Sequence, residues 1–192
     1  MKTRIIIIAV VLTSLIFTTS AQEYRVNTND SKLKWTGKKV AGEHWGYIKL
    51  KEGYFTVKDD RITSGKFIID MSSIENEDLE SKEWNDKLVN HLKSEDFFDA
   101  SIHPEAILLI KEGTPFKNNK ASLKGELTVK GITHPITFET IKKDGAYIAE
   151  MKVDRTKYNV RYGSGKFFDN LGDNMIHDDF IMVVKIVPEK NM

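Results

Sequence analysis

Five histidines, His44, His91, His103, His134 and His177, are the side chains best suited to acid–base or metal chemistry. None lies in an H-E-x-x-H helix or at another short metal spacing, so no histidine-built metal centre is expected. His177-Asp178-Asp179 is a local cluster of nitrogen and oxygen donors. Three donors in one loop fall short of a full cation shell, so the cluster reads as a solvated loop ahead of the last strand. Gly163-Ser164-Gly165-Lys166 ends like a phosphate-binding loop. Val160 stands where that motif's first glycine belongs, and no strand-to-helix step follows, which leaves a glycine-rich turn. There is no cysteine and no G-x-S-x-G elbow, so a nucleophile is not marked. Acidic residues are scattered, with no recognisable pair for glycoside hydrolysis. An enzyme built here would have to use His44, His91 and Asp70 without a visible nucleophile–base pair.

The elements that would position these groups are mostly strands. Leu33 and Trp35 share one face, against Lys32, Lys34 and Thr36 on the other. Phe67, Ile69 and Met71 alternate with Ile68 and Asp70, and Leu123, Leu127 and Val129 with Lys124, Glu126 and Thr128. Ile136 and Phe138 alternate with Thr137 and Glu139, and Tyr147, Ala149, Met151 and Val153 with Glu150 and Lys152. That two-residue period is the mark of a half-buried strand. Phe180–Val187 is apolar on both faces except for Lys185, so it is expected to be covered on both sides or to sit at a contact. Turns are expected at 27–31, 59–60, 118–119 and 144–145. Many short strands with polar turns predict an all-β antiparallel sandwich or barrel.

One stretch breaks the alternation. Trp84, Leu88 and Leu92 recur at four-residue spacing, which predicts a short helical insertion over roughly 15 residues from Asp78 to Leu92. Asn76 or Asp78 could cap it, and its apolar edge, Trp84 included, is expected to bury against an open barrel end.

The chain has 192 residues and a formal net charge of +1, enough for one sizeable core and no sign of a nucleic-acid partner. Lys2 and Arg4 precede an apolar run, Ile5 to Phe17, which is followed by Thr18, Thr19, Ser20 and Ala21. This layout predicts a signal peptide over 1–21, cleaved after Ala21, and hence a periplasmic or secreted protein. The run is too short for the roughly 20 residues of a membrane span. A single domain over 22–192 is expected.

Aromatic residues, among them Trp35, Trp45, Phe55, Phe67, Phe138 and Phe180, fall in or near the strands. They suit either a packed core or an apolar ligand cavity, because an eight-stranded barrel is just wide enough for both. Periodicity does not choose between them.

Five segments in order resemble one family. They are Leu33–Gly46, Gly65–Ile74, Lys87–Asp99 with Pro104, Gly125–Thr133, and Val153–Val160. Together they resemble the YceI-like family of lipid- and polyisoprenoid-binding proteins over about residues 22 to 188. Gly125–Thr133 resembles that family's most recognisable strand. Asn159 departs from the glycine often found there, which bears on a local bend. The resemblance implies a lipocalin-like barrel of about eight strands that holds an isoprenoid lipid, such as a quinone or polyprenyl phosphate, without a cofactor and without chemistry. Trp35, His44, Phe67, Ile69, Leu127, Val129, Phe138, Met151 and Arg155 are the candidate ligand contacts. Arg155, or else Arg161, is expected near the ligand's polar end, the competing reading of Arg155 being an ion pair with Asp154 or Glu150. A periplasmic lipid-modifying enzyme and a stress-linked structural barrel are the alternatives. A homodimer through a strand edge or the last strand is compatible with the pattern.

Overall fold

The computed structural model describes residues 20–189. Nine strands occur in this order: β1 Gln22–Arg25, β2 Lys32–Lys39, β3 Gly42–Lys58, β4 Arg61–Asp70, β5 Glu105–Gly113, β6 Lys120–Val129, β7 Ile132–Lys143, β8 Ala146–Asp154 and β9 Ile176–Ile186. All pairings are antiparallel, running β3-β2-β9-β8-β7-β6-β5-β4, and β3 also pairs with β4, which closes the sheet. The short β1 pairs with the far end of β3, in line with β2 beyond the turn at 27–31, so the barrel has eight strand positions. The β3–β4 pairing joins the two ends of the sheet, while β7 and β8 pair only over Thr140–Lys143 against Ala146–Ala149 and part beyond that. Register shifts in the β3–β4 pairing, between Leu50 and Glu52 and between Thr56 and Val57, let the 17-residue β3 bend across both halves.

Turn chemistry fixes the hairpins. Asp59–Asp60, Lys130–Gly131 and Asp144–Gly145 each have positive φ at both residues, the two-residue turn whose twist matches that of the strands. Gly125–Thr133 is therefore not one strand: Lys130–Gly131 turns the chain from β6 into β7. Asn159 adopts φ 59°. Asparagine tolerates that left-handed conformation better than most residues, so the bend survives the absence of glycine.

The turns at 59–60, 118–119 and 144–145 close one end of the barrel. The other end carries the β2–β3 turn, the long connection from β4 to β5 and the 155–175 crossing. The connection holds α1, Lys82–Lys93, the one α-helix among the described residues. This helix starts later than the spacing predicts. Asn76 and Asp78 do not cap it, because both are bound to Trp45: the Asn76 amide donates to the Trp45 carbonyl at 3.0 Å, and the Trp45 N–H donates to Asp78 at 2.7 Å.

Gly46 makes that connection possible. A Cβ there would sit 1.8 Å from the Glu75 carbonyl oxygen, so only glycine lets the 74–77 segment cross β3. The Glu75 and Glu77 N–H groups then donate to the Tyr47 and Trp45 carbonyls. Among the helix's apolar residues Leu92 is buried, but Trp84 is 56% exposed, with Lys87 over its ring, so the predicted edge is only half used.

Two more expectations are corrected in whole or part. No layer of the chain itself covers the outer face of β9, where Val183 is 39% exposed between its partners Lys34 and Glu150, so of the two readings of that strand only the contact is left. Flanking lysine stems can shield such a position without a covering layer. His177-Asp178-Asp179 is no solvated loop. It opens β9, where Asp178 accepts from the buried Ser164 hydroxyl and Lys166 lies 3.2 Å away, while Asp179 pairs with Lys152 at 2.9 Å.

Candidate functional site

The barrel interior is a cavity of ≈ 240 Å³. Every barrel strand from β2 to β9 contributes inward residues. Leu33 and Trp35 come from β2, Ile48, Leu50 and Phe55 from β3, and Phe67 and Ile69 from β4. Ala106, Leu108 and Ile110 come from β5, Leu127 and Val129 from β6, and Phe138 from β7. Ala149 and Met151 come from β8, and Phe180, Met182 and Val184 from β9. The lining is almost wholly apolar.

The two ends differ. The turn end is plugged by rings: Phe55 stacks on Tyr24 at 5.3 Å and meets Tyr147 edge-on at 4.9 Å, and Phe116 lies 5.9 Å from Tyr147. Burial pushes the Tyr147 hydroxyl up to about 12. The opposite end is capped by Leu88 and Leu92 of α1 and by Phe97 and Phe98 just after it, and it opens beside Lys39 and His44. There the cavity meets a shallow recess lined by Lys39, His44, Leu79, Trp84, Lys87, Leu88 and His91. One polar contact organises this mouth. His44 Nδ1 lies 2.7 Å from Asp78, which also accepts from Asn76 and from the Trp45 N–H. Burial would raise the Asp78 carboxyl, but those hydrogen bonds outweigh it and hold it below the ordinary carboxylate value.

All nine candidate contacts line the cavity. Trp35, Phe67, Ile69, Leu127, Val129, Phe138 and Met151 are wall residues. Trp35 also donates its indole N–H to the Glu75 carbonyl at 3.0 Å, which ties the wall to the capping segment. His44 stands at the mouth. Arg155 is buried, and its guanidinium donates to the carbonyls of His177 at 3.0 Å, Val160 at 2.9 Å and Ile176 at 3.1 Å. Neither Asp154 nor Glu150 pairs with it among the described residues; Asp154 instead takes Lys166 at 3.0 Å. Burial lowers the Arg155 pKa, with Asp178 and Asp154 opposing. Arg161 is exposed and lies over the Phe167 ring. His44, His91 and Asp70 do not meet: His91 packs edge-on against Phe97 and Tyr162, and Asp70 accepts from the Ser72 N–H. Among the described residues no group of three His, Asp or Glu is placed to hold a metal ion.

Sequence reading did not mark β1, β3 or β5 as strands and missed the inner face of β9. Ala106–Ile110 is apolar throughout and shows no alternation. In β9, Lys185 alone carried the phase: it points outward, which turns Phe180, Met182, Val184 and Ile186 inward.

A closed antiparallel barrel with an apolar, ligand-sized interior and one capped mouth defines a lipocalin-like binding barrel. The chain belongs to the YceI-like domain family, which it matches over residues 24–187. It is 28% identical over 134 residues to a UPF0312 protein of Vibrio campbellii, covering 66% of each chain. It is 31% identical over 104 residues to UPF0312 protein VPA0850 of Vibrio parahaemolyticus, covering 50% of this chain and 51% of that one. The matches thus span about two thirds and about half of these relatives' lengths. Among solved structures it is similar to Burkholderia cenocepacia BcnA (TM-score 0.59, 24% identity, 84% of this chain and 98% of that one). It is also similar to a polyisoprenoid binding domain from Saccharophagus degradans implicated in plant cell wall breakdown (TM-score 0.58, 11% identity, 88% and 98%). At these identities the likeness to solved structures is one of fold.

Proposed function

We propose that the barrel binds a long apolar amphiphile, a polyisoprenoid lipid with a quinone or phosphate head, and carries or stores it without chemical change. The observation that carries this reading is the cavity: apolar along its length, plugged with rings at one end and open to polar groups at the other. Such a shape suits a tail inside and a head at the mouth, where a polar group can stay hydrated. Each buried CH₂ contributes about 0.8 kcal/mol, so even ten buried links supply about 8 kcal/mol before ordering costs. Likeness to the polyisoprenoid binding domain of Saccharophagus degradans and the family membership support the ligand class. The signal-like residues 1–21 support a periplasmic or secreted site of action; positions 1–19 lie outside the described residues.

Trp35 on the cavity wall provides the test. With Trp45→Phe and Trp84→Phe leaving Trp35 as the one tryptophan, a long-tailed quinone should quench the fluorescence saturably, whereas a head-group analogue without the tail should not. Equal quenching by the tailless analogue would remove the reading.

A further inference from the structure

We propose that the mouth end of the barrel is a docking surface for a lipid bilayer, through which the cavity exchanges its ligand. The purpose of the docking rests on the cavity reading; the docking itself does not. Six large apolar residues left exposed, Val40, Trp84, Ile102, Tyr162, Phe167 and Phe168, all lie on segments at this end. Those exposed elsewhere, Tyr54, Ile141 and Val183, lie singly on strands of the wall.

The mouth-end residues on one side form a connected rim. Tyr162 packs edge-on to His91 of α1 at 4.4 Å. The Val40 N–H donates to the Met175 carbonyl, and Met175 in turn lies against Gly165 of the loop bearing Phe167 and Phe168. Trp84 shares the recess with His44 and Lys39, which also line the cavity itself. The rim is therefore continuous with the opening.

Its charges fit phospholipid heads. Lys87 lies 4.8 Å from the Trp84 ring centre and Arg161 4.8 Å from that of Phe167. Among the described residues neither has a carboxylate within ion-pair distance, nor does Lys39. An aromatic ring beside a cation suits the interface of a bilayer, ring at the head-group level and charge toward phosphate. Glu80, Glu83, Asp169 and Asp173 stand on the same segments, so this end is not a polybasic patch. Docking is thus by ring insertion and depends little on salt.

The test is flotation with phosphatidylcholine vesicles, comparing the wild type, Trp84→Ala and the triple variant Trp84→Ala with Phe167→Ala and Phe168→Ala. The wild type should float at low and high salt. Trp84→Ala should lose about fivefold in partitioning and the triple variant more than about tenfold. Because Phe167 and Phe168 lie outside the linings of the cavity and the recess, the double variant Phe167→Ala with Phe168→Ala should still take up quinone delivered from detergent micelles, and far-UV circular dichroism reports that the triple variant is folded. Ala149→Phe, which fills the cavity, should float like the wild type. Quinone uptake failing in every form while flotation follows the rim would leave docking standing and remove the cavity reading. Equal flotation of the wild type and triple variant would overturn the proposal. So would rim-dependent self-association without vesicles, which would assign the surface to a second copy.

Discussion

Arg155→Ala should destabilise the protein by several kcal/mol. The guanidinium joins the turn after β8 to the start of β9 by donating to three carbonyls, at Val160, Ile176 and His177. Each bond from a charged donor contributes about 1.5–3 kcal/mol. Against that sum stands the relief of a desolvated cation, whose burial is seen in its lowered pKa. The variant leaves three carbonyl acceptors without their donor, at about 1–3 kcal/mol for each that stays dry, so after the relief of the cation the expected loss is about 2–5 kcal/mol. Arg155→Lys keeps the charge but lacks the planar fork, so it should fall between the two. Urea unfolding followed by far-UV circular dichroism measures this, read as a shift in midpoint at constant slope. The same variants address head-group reading. With three donors engaged by backbone, affinity for a polyprenyl phosphate and for a quinone of equal tail length should change by the same factor. A loss under about 1 kcal/mol, or a tenfold selective loss of the phosphate ligand, would refute the assignment of Arg155 to the crossing.

Gly46→Ala should displace the 74–77 segment, because its Cβ would meet the Glu75 oxygen at 1.8 Å; faster hydrogen exchange at the Glu75 and Glu77 amides would report it. Ala149→Phe should abolish quinone quenching of Trp35 with stability unchanged or raised, since the new ring fills a void rather than a packed core. Asp78 has a folded pKa below its ordinary value of 3.8, so it contributes stability above that pH that is lost as pH falls through the lowered value. The stability gap between the wild type and Asp78→Asn should therefore be constant above about pH 3.8 and close as pH falls from there through the lowered value. Tyr147 is raised to about 12, so its contribution is present below pH 10.0 and lost between there and about 12; Tyr147→Phe should remove that alkaline dependence in urea melts.

The barrel was largely legible because alternation marks strands with one wet face. Leu123, Leu127 and Val129, and Tyr147, Ala149, Met151 and Val153, all turn inward as their phase predicts. What the pattern hid has physical causes. β5 is apolar on both faces, so period two vanishes there. The Lys130–Gly131 turn lies inside the family motif and is betrayed only by one glycine. Cap chemistry at Asn76 and Asp78 was misplaced because their partner, Trp45, lies over 30 residues away in sequence and no local rule reaches it. Arg155 was legible as a cavity-end residue, but its three carbonyl acceptors come from the folded crossing and leave no mark in the sequence.

The central claim is that the cavity holds a lipid tail. Native mass spectrometry of the protein purified without detergent, followed by organic extraction, tests it most directly. The account predicts a mass excess equal to one isoprenoid amphiphile per barrel, recovered in the extract and missing from Ala149→Phe. A wild type at the bare polypeptide mass, with nothing in the extract and the same result for the filled variant, would contradict it.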